Sequence, residues 1–217
     1  LPAEGYVLGF DTSAAHCAAA LLRAGQPVAE RREEMAKGQA ERLMPLLEEL
    51  LAGAGIGWHD LAAIGVGTGP GNFTGVRISV AAARGLALAL GIPAIGVSTL
   101  EALAEGLPRP VTVVEDARRG EVYLQSFTAA GAGAPALLAL TDLPPGIAGH
   151  ALTGSAAALA YSEVQAGELV EPAMPLAEAI ARIAARRAGT PQPRPAPLYL
   201  RSADAAPPSD PPPVILD

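Results

Sequence analysis

The sequence predicts a two-lobed α/β protein, and three observations carry that expectation. The stretch from Ile64 to Leu90 reads as a buried strand (Ile64–Val66), a loop bearing Gly67, Gly69 and Gly71, and a helix entered near Asn72–Thr74. A unit of strand, Asp-bearing turn and strand occurs at the start and again roughly a hundred residues later, as in a duplicated architecture. Between the two, Leu107-Pro108-Arg109-Pro110 reads as a linker. The expected division is a first lobe over residues 1–106 and a second over 107–202, whose last segment packs back on the first. Residues 203–217 form a proline-rich tail that buries too little to order itself.

Composition bounds the function. A chain of 217 residues suffices for a real core. It is 50% hydrophobic, much of that alanine, and only 4% aromatic. A net charge of −7 argues against a nucleic-acid clamp, which is normally basic. The single cysteine, Cys17, excludes an internal disulfide and fits a reducing compartment. No uninterrupted apolar run reaches bilayer-spanning length, and no charged-then-apolar leader opens the chain. The expectation is a cytoplasmic protein with no membrane partner.

In order, Tyr6–Phe10 is an apolar strand running into Asp11-Thr12-Ser13, and Cys17–Leu22 is a second. Arg23-Ala24-Gly25-Gln26 is turn chemistry, with Val28–Met35 returning as a more polar strand. Asp11 and Thr12 sit where a phosphate-bound cation could be held, but an aspartate at such a position is more commonly a turn former, bonding its own backbone. Gln39–Leu51 is a helix whose apolar stripe, including Leu43, Leu47 and Leu50, is wider than one sheet contact requires. Pro45 either kinks it or sits in its first turn.

The helix of the central stretch is capped in expectation by Thr74 and stopped by Gly91 and Pro93. Its only charges, Arg77 and Arg84, are seven residues apart and share a face. Opposite them lies a row of Gly75, Ser79, Ala82, Leu86 and Ala89, small enough for another helix to approach closely. That row faces either the interior of one domain or a subunit interface. Ala94–Val97 is a further strand, followed by Ser98-Thr99-Leu100-Glu101, a capping box.

After the linker come strands Val111–Val114 and Glu121–Phe127 around the charged turn Glu115–Gly120, a loop over Ala129–Ala136, and a short strand at Ala151–Thr153. Leu176–Ala188 is a helix with Leu176, Ile180 and Ile183 inward and Arg182, Arg186 and Arg187 towards water.

Catalytic patterns are scarce. His16, His59 and His150 have no second ligand at helical spacing, and no nucleophile elbow or triad is legible. The amides of Gly67–Asn72 at a helix N-terminus have the physics of an anion site, placing Gly69, Gly71 and Asn72 beside Asp11 and Thr12 as candidate phosphate contacts. The loop lacks the lysine and Ser/Thr of a Walker loop, and a tight turn that docks the helix reads equally well.

GTGPGNFTGVRISVAAARGLALALGIPAIGVSTLEALA, the opening LGFDTSAAHCAAALL, the segment EDARRGEVY and the late PLYLR (Pro197–Arg201) together resemble the TsaB (YeaZ) family from Tyr6 to about Arg201. The resemblance implies the fold of the actin, sugar-kinase and Hsp70 ATPase group, with two lobes that are each a mixed sheet flanked by helices. It implies a non-catalytic subunit that pairs with the related enzyme TsaD in making N6-threonylcarbamoyladenosine at position 37 of tRNAs reading ANN codons. TsaE, an ATPase, joins them; ATP or ADP and the metal belong to the complex, and tRNA is met through it. TsaD's metal-binding histidine pair lies on a helix corresponding to Gln39–Leu51, which here contains no histidine, and Gln39 stands where TsaB-like sequences often keep one.

The same resemblance places the pairing face, or a homodimer face when TsaD is absent, on the helices around Leu43, Leu47 and Leu50 and around Gly75, Ser79, Ala82 and Leu86. The rival reading is a free-standing nucleotide-dependent enzyme using Asp11 and Thr12 near magnesium. Against it, Asp11-Thr12-Ser13 lacks the glycine that admits a phosphate closely. A tRNA-binding module conflicts with the acidic balance.

Overall fold

Strand alternation sets the architecture. The computed structural model describes residues 5–164 and 167–201, and the expected tail over 203–217 lies outside them. The first lobe runs β1 (Tyr6–Asp11), β2 (His16–Arg23), β3 (Gln26–Glu34), α1 (Gln39–Gly53), β4 (Leu61–Gly67), α2 (Phe73–Leu90), β5 (Ala94–Val97) and α3 (Thr99–Leu103). The second part runs β6 (Val111–Arg118), β7 (Glu121–Thr128), β8 (Gly131–Ala132), β9 (Ala136–Ala139), β10 (Ala151–Thr153), α4 (Ala157–Val164), β11 (Glu168–Leu169) and α5 (Leu176–Arg187).

The first sheet has the order β3-β2-β1-β4-β5, its first three strands antiparallel and β4 and β5 added parallel. Leu8 and Phe10 of β1 and Ile64 and Val66 of β4 turn to one face, where they meet the leucines of α1 and Val76, Val80 and Ala83 of α2. Val7 and Ala63 turn to the other face, against Ile180, Ala181 and Ala184 of α5. Glycines make room for that helix. A Cβ on Gly9 would lie 2.7 Å from the Ala181 Cβ, and one on Gly65, its register partner, 2.7 Å from the Ala184 Cβ. The last described helix thus returns to the first sheet and lies in a trough opened by the missing side chains of Gly9 and Gly65.

The second sheet has the order β11-β10-β6-β7-β8, with β9 on β7. β6 and β7 form an antiparallel hairpin, while β10 joins β6 in parallel. Leu152 and Val114 pack under α4, and Val111, Val113 and Phe127 pack on Leu100 and Ala104 at and beyond α3. α3 therefore sits between the sheets, touching α5 on one side and β6 and β7 on the other. This is the two-lobed, actin-like α/β fold.

Several local expectations change. α2 is capped by Asn72, whose side chain accepts from the Gly75 amide at 2.9 Å, not by Thr74, which already lies inside the helix. Only half of the capping box forms: Ser98 Oγ accepts from the Glu101 amide, but the Glu101 carboxylate is taken by Arg187. Arg182, Arg186 and Arg187 are not simply solvated. They pair with Glu178, Glu105 and Glu101, the last two tying α5 to the α3 region. Pro45 lies within α1, and Gly131–Ala132 pairs with β7 inside the expected loop. α2 is also long and apolar enough to cross a membrane, although Arg77 and Arg84 interrupt any unbroken apolar run along it. Its buried side is part of the first lobe's core.

Candidate functional site

The turn after β1 is built around one carboxylate. Asp11 is fully buried, and its Oδ1 accepts from the Ser13 amide and Ser13 Oγ, each at 2.8 Å, with His16 Nε2 also at 2.8 Å. Oδ2 is buried without a hydrogen-bond partner. It faces Gly67, where an added Cβ would lie 1.9 Å away. Thr12 donates its hydroxyl to the Gly75 carbonyl at 2.7 Å.

The glycine-rich loop closes over this turn. A Cβ on Gly71 would stand 2.4 Å from the Ser13 carbonyl, and one on Gly75 would stand 1.9 Å from the Thr12 carbonyl. Asn72 donates its amide to Ser13 O, Thr68 to Val97 O and Val76, in the first turn of α2, to Asn72 O. Gly69, at φ +83°, gives its carbonyl to the Thr99 amide. Of the five residues expected around a phosphate, Asp11 and Thr12 are buried in the turn and Gly69 is bonded to Thr99, while Gly71 and Asn72 line the open cleft between the sheets. Sequence spacing shows glycines at a helix start, but not whether they admit a ligand or their own chain.

Beyond that turn a cleft of about 820 Å³ opens between the sheets, with Ser13, Asn72 and Thr99 on one wall and Glu115, Arg118 and Tyr123 on the other. Glu115 Oε1 accepts from the Ser155 amide at 2.7 Å, and Ser155 Oγ accepts from the Asp116 amide at 2.9 Å. Burial pushes the Glu115 carboxyl above the usual glutamate range, and the neighbouring Asp116 adds to the rise. Arg118 and Arg119 both have positive φ, 63° and 57°. Among the described residues no three His, Cys, Asp or Glu side chains come together as a metal site.

The expected interface residues are placed differently. Leu43, Leu47 and Leu50 are 1%, 0% and 2% exposed, in the core that α1 shares with β2 and α2. The wide stripe is covered by two elements of its own chain. Gly75 is buried on Thr12, and Ser79 donates to the Gly67 and Val76 carbonyls. Ala82 and Leu86 are half-buried on the same core. Gly75 and Ser79 thus face the protein's own fold and not an interface, because the loop approaches the turn closely, whereas Ala82 and Leu86 are only partly covered and Ala89 is exposed. The outward face of α2 is Thr74, Arg77, Ala81, Arg84, Gly85 and Leu88, the last 85% exposed.

An extended segment leads back to this helix. The Leu198 amide donates to the Thr68 carbonyl at 2.8 Å, and the Arg77 Nε donates to Tyr199 Oη at 2.7 Å. The Phe73 and Tyr199 rings lie 5.1 Å apart. Arg201 then ion-pairs with Glu121 at 2.6 Å. Beyond its part in the family resemblance PLYLR has no role legible by pattern, because an aperiodic segment shows nothing of where it docks.

With this geometry in hand, relatives are informative. The model of the family described as "TsaD: tRNA N6-adenosine threonylcarbamoyltransferase" matches residues 32–143. An uncharacterized Mycobacterium tuberculosis protein is 37% identical over 204 residues, 93% of this chain and 94% of that one. The tRNA threonylcarbamoyladenosine biosynthesis protein TsaB of Escherichia coli is 39% identical over 126 residues, covering 56% of this chain and 54% of its own length. The solved structure of YeaZ from Pseudomonas aeruginosa superposes with a TM-score of 0.72 at 29% identity, over 90% of this chain and all (100%) of that one. Component A of the Acidaminococcus fermentans (R)-2-hydroxyglutaryl-CoA dehydratase, at TM-score 0.57 and 12% identity over 86% of this chain and 100% of that one, shares the fold alone. Sequence, fold and match agree: the chain belongs to the TsaB (YeaZ) family.

Proposed function

We propose that this protein acts in the formation of N6-threonylcarbamoyladenosine in tRNA as a non-catalytic subunit paired with a TsaD-like enzyme. The observation that carries the pairing is α2, a long apolar helix covered by its own fold on one side only. Val76, Val80 and Ala83 are buried, while Ala81, Gly85 and Leu88 are exposed. An apolar face in a long helix is the kind of surface that a partner's core residues cover. The relatives called TsaB supply the pathway. The absence of histidine from α1 and the closed glycine loop support a role without chemistry of its own, with nucleotide and metal assigned to partner subunits. A TsaE-like ATPase and tRNA would then be met through the complex. Weaker self-association through the same face is expected when the partner is absent, and the cytoplasm is where such a complex would work.

The test is the modified nucleoside. Cells lacking the protein should lose threonylcarbamoyladenosine from digested tRNA, read by mass spectrometry. Unchanged levels without a second copy of the gene would refute the assignment. A bulky side chain at Gly85, where an added Cβ meets nothing within 4 Å, should block co-purification of the TsaD-like subunit while leaving the fold intact. Gly85→Trp that still co-purifies the enzyme would move the pairing face off α2.

A further inference from the structure

We propose that the docking face is composite: Tyr199 joins α2 in meeting a partner helix that is apolar and carries carboxylates. This rests on the pairing proposed above and specifies the chemistry of what pairs. Tyr199 is 47% and Phe73 48% exposed, at the end of α2 where its outward face begins. Their rings are tilted by 33°, and the Arg77 guanidinium lies 3.7 Å from the Phe73 ring centre. Half-exposed aromatic rings locked beside an arginine are the groups that contribute most to protein interfaces, because little side-chain freedom remains to be lost on binding. The lock comes from the chain itself, through the Leu198 amide on Thr68 O and the Arg77 bond to Tyr199 Oη.

Charge selects the occupant. The chain carries −7, yet the outward face of α2 holds only Arg77 and Arg84 as charges. Among the described residues neither meets a carboxylate: Arg77 is held by Tyr199 and Phe73, and Arg84 has no hydrogen bond or ion pair. A second copy laid antiparallel on this face would set Arg77 of each copy beside Arg84 of the other, so like charges would oppose it. A partner helix with carboxylates flanking an apolar strip would complement both arginines. Because the same segment continues to Arg201 and its ion pair with Glu121, a partner that holds Tyr199 also holds the segment anchored on the β6–β7 hairpin.

The experiment measures binding of the TsaD-like subunit from the same genome to the full chain at low and high salt. Wild type is compared with Tyr199→Ala, Tyr199→Phe and Arg84→Glu, with melting curves and hydrogen exchange of the Leu198 amide for each. Tyr199→Ala should weaken binding by about tenfold or more with Leu198 still protected, as loss of an interface anchor does. Tyr199→Phe, which keeps the ring but loses the Arg77 bond, should weaken binding less than Tyr199→Ala does. Wild-type binding should weaken with salt, and Arg84→Glu should weaken it at low salt most of all. Wild-type affinity in both Tyr199→Ala and Arg84→Glu would overturn the proposal. So would a Tyr199→Ala loss accompanied by an unprotected Leu198, which would make Tyr199 a tether and not a contact, and so would self-association that is tightest at low salt. Failure of the wild-type chain to bind the subunit at all is a different result, and it overturns the pairing itself.

Discussion

Two hairpins of this molecule carry an acid near the end of their first strand, and the fold treats them in opposite ways. Asp11, at the end of β1, is fully buried under Gly67 in a turn that Gly71 and Gly75 close over at Ser13 and Thr12, with Ser13 and His16 on the same carboxylate oxygen. Asp116, near the end of β6, is exposed, and its Oδ1 accepts from the Arg118 amide two residues on. The difference comes from a later part of the chain. After β4 a glycine-rich loop is laid directly over the first turn, whereas the second turn faces the open cleft. An acid in a strand-turn-strand unit is thus a structural keystone in one lobe and a cleft-wall residue in the other.

Glycine substitution breaks the contrast most sharply. Gly75→Ala forces a methyl to 1.9 Å from the Thr12 carbonyl, where neither backbone can yield without separating α2 from the turn. The expected loss is about 3 kcal/mol or more, at the upper end for overpacking. Gly120→Ala, in the second hairpin at φ +75° with nothing within 4 Å, should cost only the left-handed backbone, about 1–2 kcal/mol. Urea unfolding of the two variants reads the difference, and equal losses would show that the first turn has slack. Asp11→Ala and Asp116→Ala form the next pair. The first strands the Ser13 amide and His16 in the interior, for about 2–4 kcal/mol, while the second loses one solvent-facing bond, about 1 kcal/mol or less. A mild Asp11→Ala would mean that water replaces the carboxylate.

Much of this fold is legible in the sequence, and the reasons for the failures are specific. Ala94–Val97 and Ala151–Thr153 are strands with the expected bounds, the first set off by Pro93 and the second by Gly149 and Gly154. The Ala24-Gly25 turn forms with positive φ at both residues, as a two-residue hairpin loop demands. α4, in contrast, is alanine-rich and only eight residues long, without the periodic apolar contrast that marks a helix. The two faces of α2 are legible as different, but not which one the chain itself covers. That depends on Thr12 and Gly67 meeting Gly75 and Ser79 across sequence separations that no local pattern encodes. The leucine stripe of α1 misleads in the same way, since a second helix of the same chain covers it as well as a partner could.

Glu115 offers the subtlest way to sharpen the comparison, because it lies beside Asp116 on the cleft wall, away from the closed first turn. Burial raises its carboxyl pKa in the folded protein above that of the unfolded chain. The folded state therefore holds the proton more tightly. The stability this contributes is full below the unfolded value and is lost as pH rises through the folded one. Melting temperature should accordingly fall as pH is raised from about 4, the ordinary glutamate region, towards neutrality. Glu115→Gln keeps an oxygen for the Ser155 amide but cannot ionise. It should flatten that part of the profile, with a melting temperature a few degrees above wild type at neutral pH and little different under acid. Surface carboxylates held low by hydrogen bonds from arginine, such as the half-buried Glu33 and the exposed Glu49 beside Arg42, act with the opposite sign, since their contribution is lost as pH falls. The readout is therefore the difference between variant and wild type at each pH, not either profile alone. A difference that stays constant across the range would show that Glu115 is ionised in the fold as freely as in the unfolded chain, and that burial in the second hairpin leaves its proton affinity unchanged.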